Sequence, residues 1–313
     1  MKKKMVSILT AAFCASALLA GCGSADTAKT SASSAGAASS SADGTTTFTV
    51  GFDAEYPPYG YMDEETGDYT GFDLELAEAV CEIYGWKLVK TPINWDAKDT
   101  ELNSGAIDCI WNGFTMNGRE DDYTWSDPYV DNSQVMVVSE KSGINSLSDL
   151  AGKTVGVQAA SAALDLLQSE EEGGQKELAD TFAALQQFPD YNNAFVELQA
   201  GAVDAIAMDI GVAKYQIENR DNGEDYEILE EHLNSEKYAI GFKKGNTELC
   251  DTVNADLDKL LADGTFDKLA EKYELTDMVC LGNDDSEEAS SEAESETAAE
   301  TEMAESETES AAE

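Results

Sequence analysis

Two charged residues are placed where they could bind the two ends of a zwitterion. Arg119 lies in NGFTMNGRE (112–120), directly after an apolar run, and Asp209 ends the apolar run VDAIAMD (203–209). Arginine carries a planar fork of N–H donors that fits a carboxylate with two parallel hydrogen bonds, and an aspartate can accept hydrogen bonds from an ammonium group. If the two residues faced each other across a cleft, they would suit an α-amino acid.

Each residue also has a simpler interpretation. Arg119 could be a turn residue that points at water or at its acidic neighbours Glu120 and Asp121. Asp209 could be only the N-cap of a helix that begins near Gly211. The choice depends on the elements that position them.

Those elements occur twice along the chain. TVGFDA (49–54) is echoed by TVGVQA (154–159), and ELNSGAIDCI (101–110) is echoed by ELQAGAVDAI (197–206). Each first motif predicts a short apolar strand, and each second motif predicts a helix end, a glycine cap and a buried strand. The same parts in the same order predict two α/β lobes of similar design; chance similarity between common helix–glycine–strand joints is the alternative.

The junctions between these lobes predict a hinge. NSQVMVV (132–138) and KYAIGFKK (237–244) are extended patterns, which we interpret as a pair of strands crossing between lobes. The first lobe would then comprise 47–134 and 237–281, and the second 135–236. Ligands of α/β sheets bind beyond the carboxyl ends of strands, so the ends that carry Arg119 and Asp209 are expected to face a cleft.

One helix of the first lobe is predicted over GFDLELAEAVCEIYGW (71–86). Asp73 is placed to cap it, and Gly85 is placed to end it. Leu74, Ala77, Cys81 and Tyr84 fall on one face.

Taken together, the motifs resemble the extracellular amino-acid-binding proteins of ABC importers, family 3. The resemblance covers 47–276 and rests on VGFDAEYPPYGYMDEETGDYTGFDLELAEAV, GFTMNGRE, WSDPY, VGVQAASAA, VDAIAMD and ADGTFDKLAEKY. It implies an α/β, type II periplasmic-binding-protein fold, with two lobes joined by a two-strand hinge. It also implies a monomer without a cofactor that captures an amino acid, expected to be polar, by closing its cleft, and then delivers it to a membrane permease.

The resemblance also implies a set of ligand-binding residues. In this sequence they are Asp53, Tyr56, Trp95, Gly113, Thr115, Arg119, Gln158, Ser161 and Asp209. Tyr56 and Trp95 could instead be core aromatics. Two departures from the family pattern are a loop from Thr115 to Arg119 that is one residue shorter, and Ala162 where threonine is usual.

The N-terminus predicts export and anchoring. MKKKMVSILTAAFCASALLAGC (1–22) has three lysines before an apolar stretch that is too short to span a bilayer comfortably. LLAGC resembles a lipobox, so 1–21 would be a lipoprotein signal peptide and Cys22 the lipidated residue; an ordinary signal peptide with an incidental Cys22 is the alternative. The Ser/Ala-rich segment that follows, up to residue 46, is expected to be a flexible tether. The expected location is the extracytoplasmic face of the cell membrane, in a Gram-positive bacterium.

The charge of the chain limits its partners. The formal net charge is −44, and residues 282–313 are expected to be a disordered acidic tail. So acidic a protein is a poor ligand for nucleic acid or anionic lipid. Cys81, Cys109, Cys250 and Cys280 have neither a CxxC spacing nor a neighbouring histidine, so no metal site is expected. A Cys250–Cys280 disulfide is possible, and Cys81 and Cys109 are interpreted as buried thiols.

Two other functions remain open. An enzyme on the same fold, such as a dehydratase, is one, although His232 is the only histidine and no G-x-S-x-G motif is present. A sensor that binds an amino acid without delivering it is the other. We expect a binding protein and not an enzyme.

Overall fold

The computed structural model describes residues 46–282, all of which belong to one compact unit of the chain. The predicted signal peptide, Cys22 and nearly all of the tether lie outside the described residues, as does the acidic tail beyond Gly282. No helix among the described residues has the length and apolar character needed to cross a membrane.

The described chain alternates strands and helices. The strands are β1 (Thr47–Phe52), β2 (Glu55–Tyr56), β3 (Gly60–Met62), β4 (Tyr69–Thr70), β5 (Lys87–Pro92), β6 (Cys109–Ile110), β7 (Tyr123–Trp125), β8 (Val130–Ser139), β9 (Thr154–Gln158), β10 (Ala184–Phe188), β11 (Ala205–Asp209), β12 (Tyr226–Ile228), β13 (Asn234–Tyr238) and β14 (Gly241–Lys243). The α-helices are α1 (Phe72–Tyr84), α2 (Lys98–Ser104), α3 (Ala162–Gln168), α4 (Lys176–Ala179), α5 (Tyr191–Ala200), α6 (Ile210–Glu218), α7 (Thr247–Ala262) and α8 (Thr265–Lys272).

Two main sheets divide the strands between two lobes. The sheet of the first lobe has the order β5-β1-β6-β14-β7, and the sheet of the second has the order β10-β9-β11-β8-β12, with β13 also paired to β8. The chain passes from the first sheet to the second between β7 and β8, and it returns between β13 and β14. The α/β class and the two-lobed fold are confirmed, and the lobe boundaries stay predictions.

The internal repeat is confirmed by matching hydrogen bonds. Thr49 N donates to Asp108 Oδ2 at 2.7 Å in the first lobe, and Thr154 N donates to Asp204 Oδ2 at 2.8 Å in the second. Gly105 and Gly201 end their helices with a left-handed backbone, at φ of 80° and 72°. The two halves therefore use the same device to join a helix to a buried parallel strand, beside β1 in one case and β9 in the other.

Helix α1 forms as predicted, but Asp73 does not cap it. The N-cap is Gly71, and no side chain caps the helix. Asp73 is fully buried within the first turn and accepts hydrogen bonds from Gly113 N at 2.5 Å and from Tyr129 Oη at 2.9 Å. Tyr84, expected on the buried face, is 45% exposed.

The prediction that Cys81 and Cys109 are buried thiols is confirmed. Cys81, Cys109 and Cys250 are free and buried, and Cys280 is buried as well. Cys250 Sγ lies 3.1 Å from the carbonyl oxygen of Trp125. The Cys250–Cys280 disulfide left open by the sequence is therefore not formed.

Candidate ligand-binding cleft

A small inner cavity lies between the two lobes, and its wall contains eight of the nine predicted ligand-binding residues. The wall consists of Tyr56, Trp95, Gly113, Thr115, Arg119, Gln158, Ser161, Ala162 and Asp209. The ninth predicted residue, Asp53, lies on a larger adjoining cavity that shares Trp95. The inner cavity measures about 10 Å³, which is room for about one water molecule. An amino acid can therefore enter only if the lobes or their side chains move apart.

Arg119 reaches from the first lobe to the second. It follows β6 in a turn where its N–H donates to the carbonyl oxygen of Met116 at 2.9 Å. One guanidinium nitrogen lies 2.6 Å from Asp165 Oδ2 and another lies 3.3 Å from the carbonyl oxygen of Thr115. The side chain is 11% exposed and lies over the ring of Phe114. Its contact with the carboxylate of Asp165 shows that, despite the shortened loop, the guanidinium reaches a carboxylate on the opposite side of the cleft.

Asp209 ends β11 and immediately precedes α6. It occupies the N-cap position, but its side chain makes no capping hydrogen bond. Its Oδ1 instead accepts hydrogen bonds from Asn132 Nδ2 at 2.9 Å, from Gln134 Nε2 at 2.7 Å and from Tyr238 Oη at 2.6 Å. The carboxylate is therefore held beside the inner cavity by side chains and is not engaged in capping.

Gly113 brings the backbone close to three tyrosine rings. Its φ of 52° is in the left-handed region, and a Cβ atom there would lie 3.0 Å from the rings of Tyr238 and Tyr56 and 3.2 Å from that of Tyr59. Only glycine fits this position without strain. Tyr56 is 7% exposed and packs in the core, and it also lines the inner cavity; its role in binding stays a prediction.

Trp95 lies in a single 3₁₀ turn, Trp95–Ala97, between β5 and α2. Its ring packs edge-on against Phe114, with the ring centroids 5.4 Å apart, and Lys98 Nζ lies 5.3 Å from the Trp95 ring centroid. Trp95 is half-buried and borders both cavities. It therefore forms a wall of the cleft.

Gln158 and Asp53 connect the lobes. Gln158 Nε2 donates to Asp53 Oδ2 at 2.6 Å and to the carbonyl oxygen of Pro189 at 3.2 Å. Burial raises the pKa of Asp53 to about 6, although hydrogen bonds from Glu55 N–H and from Gln158 oppose the shift. A second contact of this kind joins Asn192 Nδ2 to Glu55 Oε2, and a third joins Lys98 Nζ to the carbonyl oxygen of Ala160.

Ser161 is the N-cap of α3. Its hydroxyl donates to the carbonyl oxygen of Gln158 at 2.8 Å and accepts from Leu164 N at 3.1 Å. The hydroxyl thus fixes the start of α3 at the cavity wall. With its only proton engaged in this way, it has none left to donate to a ligand carboxylate unless the loop rearranges.

The adjoining outer cavity is acidic. It measures about 560 Å³, and Ala54, Pro92, Ile93, Asn94, Trp95, Ala159 and Pro189 contribute to its wall. Five carboxylate residues complete that wall: Asp53, Glu55, Asp96, Glu101 and Asp190. A cation that entered from the inner cavity would meet a strongly favourable potential here.

Several residues that hydrogen-bond to the cavity wall were not predicted from the sequence. Glu236 is 5% exposed and receives hydrogen bonds from Thr115 Oγ1, Asn132 Nδ2 and Gln134 Nε2 at 2.7–2.8 Å. Glu236 directly precedes KYAIGFKK (237–244), which was interpreted only as part of a hinge. The two-residue period of a strand was the signal that could have found them. Asn132 and Gln134 are two residues apart, as are Glu236 and Tyr238, so each pair of side chains lies on one face of its strand.

The second arginine of the chain and its single histidine do not line either cavity. Arg220 is half-buried, with its guanidinium 4.1 Å from the ring centroid of Phe195 and 2.7 Å from Gln216 Oε1. His232 is exposed. Among the described residues, no group of three or more His, Cys, Asp or Glu side chains could hold a metal ion.

Comparison with known protein families identifies the fold. Residues 48–276 match the model of the bacterial extracellular solute-binding proteins, family 3. The chain belongs to this family. Its location is therefore extracytoplasmic, and the resemblance seen in the sequence is confirmed.

Individual relatives of this solute-binding protein differ in their ligands. The arginine-binding extracellular protein ArtP of Bacillus subtilis is 29% identical, over 87% of this chain and 98% of that protein. A substrate-binding protein of an ABC uptake transporter from Streptococcus pneumoniae, solved with bound histidine, has a TM-score of 0.68 and 33% identity, over 72% of this chain and 92% of that one. The ancestral amino-acid-binding protein AncCDT-1, a precursor of cyclohexadienyl dehydratase, has a TM-score of 0.64 and 30% identity, over 72% and 95%.

Proposed function

We propose that this solute-binding protein captures an α-amino acid with a cationic side chain and delivers it to an ABC permease. The observation that carries the proposal is the inner cavity, which is lined both by Arg119 of the first lobe and by Asp209 of the second. Arg119 would bind the α-carboxylate in place of Asp165, and Asp209 would bind the α-ammonium. The relatives named for arginine and bound to histidine support an amino acid as the ligand.

The outer cavity supports a cationic side chain. It shares Trp95 with the inner cavity, and five of its lining residues are carboxylates. A side chain of the length of arginine or lysine would run along the Trp95 ring and place its charge among Asp53, Glu55 and Asp190. A neutral side chain of similar length would gain less from this potential.

Closure of the lobes would couple binding to delivery. A ligand that touches both lobes binds the closed form more tightly than the open one, and so it shifts the population toward closure. The closed form would be the one that the permease recognises.

We further propose that the protein acts as a monomer and that, in a Gram-positive bacterium, lipid on Cys22 holds it at the membrane. Replacing Cys22 by Ser should then release the protein from the membrane fraction.

Calorimetric titration of the chain from residue 23 onward against the free amino acids tests the function. We expect L-arginine or L-lysine to bind, L-glutamine to bind at least tenfold more weakly, and Arg119→Ala to abolish binding. Arg220→Ala is the matched control, because it removes the other arginine, which lies outside the cleft. Binding that survives in Arg119→Ala would refute the carboxylate assignment, and equal affinity for L-glutamine would refute the cationic ligand.

A dehydratase activity is the second candidate, and the similarity to AncCDT-1 favours it. Asp53 and Glu55 would be the acids. Incubation with each bound amino acid, followed by mass spectrometry, distinguishes the two functions. A binding protein returns its ligand unchanged, whereas an enzyme yields a product of lower mass.

A further inference from the structure

Asp209 and Glu236 form a buried pair of carboxylates. They are 3% and 5% exposed. Gln134 Nε2 lies 2.7 Å from both Asp209 Oδ1 and Glu236 Oε1, and Asn132 Nδ2 lies 2.9 and 2.8 Å from the same two oxygens. Since both oxygens contact a single nitrogen at 2.7 Å, they are less than twice that distance apart.

The topology of the second sheet produces this pair. Strand β8 lies between β11 and β13, and Asp209 is paired with Gln134 on one side while Glu236 is paired with Asn132 on the other. The amides of β8 thus stand between two carboxylates that approach from opposite neighbours. The pair belongs to the sheet itself and does not depend on a loop.

The donors around the pair are neutral. Besides the two amides, Thr115 Oγ1 donates to Glu236 Oε1 at 2.8 Å, and Asn234 Nδ2 lies 3.2 Å from Glu236 Oε2. Tyr238 Oη donates to Asp209 Oδ1 at 2.6 Å. Neutral donors reduce the repulsion between two like charges at this distance but do not remove it, so the neutral form of Glu236 is favoured.

The other titratable groups that face the pair are phenols. Tyr191 Oη lies 3.4 Å from Asp209 Oδ2, and Tyr56 Oη lies 3.4 Å from Tyr238 Oη. Burial raises the pKa of all three tyrosines well above its ordinary value, and the charge of Asp209 adds to this, so they are neutral near pH 7. Burial and the charge of Asp209 also raise the pKa of Glu236 above its ordinary value of 4.5.

The orientation of the two amides shows what this cluster lacks. Both turn their NH₂ group toward the carboxylates, which leaves Asn132 Oδ1 and Gln134 Oε1 buried without a partner among the described residues. The cluster is therefore richer in acceptors than in donors. An ammonium group brings three N–H donors and a positive charge, and Asp209 borders the cavity from which it would arrive.

We propose that Asp209 and Glu236 act as one carboxylate pair, in which Glu236 holds a proton in the unliganded protein and releases it to solvent when the ammonium group of the ligand binds Asp209. This inference rests on the proposed function and adds Glu236 to the binding site. The charges balance: the pair changes from one negative charge to two, and the ammonium adds one positive charge, so the buried net charge is the same before and after binding. Binding is then stronger at higher pH.

Calorimetric titration with L-arginine tests the proposal, from about pH 5 to about pH 8 and in two buffers of different ionisation enthalpy. The wild-type protein should release more protons per ligand than Glu236→Gln, by up to one, and its affinity should fall more steeply toward acid, by up to about tenfold per pH unit. The difference in proton release between the wild type and Glu236→Gln reports on the pair alone, because Asp53 is present in both proteins. Glu230→Gln, a change of an exposed glutamate outside the cluster, should behave like the wild type.

The outcomes separate this inference from the proposed function. Binding that releases no proton in the wild type, or equal release by the wild type and Glu236→Gln, would overturn the pair and leave the amino-acid receptor intact. No binding of L-arginine or of L-glutamine at any pH would overturn both. If Glu236→Gln fails to fold, Asp53→Asn takes its place: proton release that persists in Asp53→Asn would support the pair, and release that disappears there would overturn it.

Discussion

Replacing Asp73 by Asn should make the protein less sensitive to rising pH. Burial raises the pKa of Asp73 to about 7 from 3.8, because hydrogen bonds from Gly113 N–H and Tyr129 only partly offset the loss of water. The folded protein therefore keeps the Asp73 proton at a pH where the unfolded chain has lost it. Stability from this proton is fully present below pH 3.8 and is lost as the pH rises toward 7.

The size of the effect follows from the same pKa difference. The full difference corresponds to ~4 kcal/mol of unfolding free energy, and each pH unit between the two pKa values corresponds to about 1.4 kcal/mol. The side-chain amide of the Asp73→Asn variant would be neutral at every pH and would keep one acceptor for Gly113 N–H. Between about pH 5 and pH 7 the wild type should therefore lose about 2 kcal/mol more than this variant.

Urea unfolding followed by tryptophan fluorescence at several pH values measures this difference. Asp68→Asn is the matched control, because the same substitution is made at an exposed side chain. Asp53 and Glu236 also have raised pKa values, but they contribute to both proteins and cancel. A gap between the wild type and Asp73→Asn that stays the same from pH 5 to pH 7 would refute the reasoning.

Three further perturbations test the cleft. Gly113→Ala should lower the unfolding free energy by ~1–3 kcal/mol, since its Cβ would crowd two tyrosine rings at a left-handed φ; unchanged urea unfolding would contradict this. The affinity for L-arginine should fall as the pH drops through about 6, because Asp53 takes up a proton there. Calorimetry should show a shallower fall for Asp53→Asn. If the affinity of both proteins depends on pH in the same way, Asp53 is not a partner of the cationic side chain. Deleting 283–313 should leave affinity unaltered, and a large calorimetric loss would make the acidic tail part of the site.

The repeat made the fold predictable from the sequence. The succession of helix end, glycine and buried strand occurs twice because each half joins a helix to a buried parallel strand in the same way. The carboxylates of Asp108 and Asp204 accept hydrogen bonds from equivalent backbone N–H groups. Such joints depend on residues close together in the chain or on short apolar patterns, which periodicity detects. The ends of the two strands, and hence Arg119 and Asp209, followed from the same reasoning.

The contacts around the cleft were less predictable because they join distant parts of the chain. Asp73 lies where a helix cap is expected, yet Gly71 takes that position and the carboxylate turns inward to Gly113. Glu236 and Asp165 are ordinary acidic residues in a very acidic sequence, so neither their type nor their spacing distinguishes them. Their roles depend on strand pairing and on the approach of the two lobes, which a local pattern does not contain.

The contacts between the lobes affect how strongly closure depends on the ligand. Arg119 with Asp165, Asp53 with Gln158 and Lys98 with Ala160 join the lobes through groups of the protein alone. Such contacts stabilise the closed arrangement whatever ligand is bound, and so they reduce the share of the closing free energy that the ligand must supply. The strength of these contacts therefore sets a compromise, because weaker contacts would make closure depend more strongly on the ligand, whereas stronger ones would let a smaller ligand complete the closure.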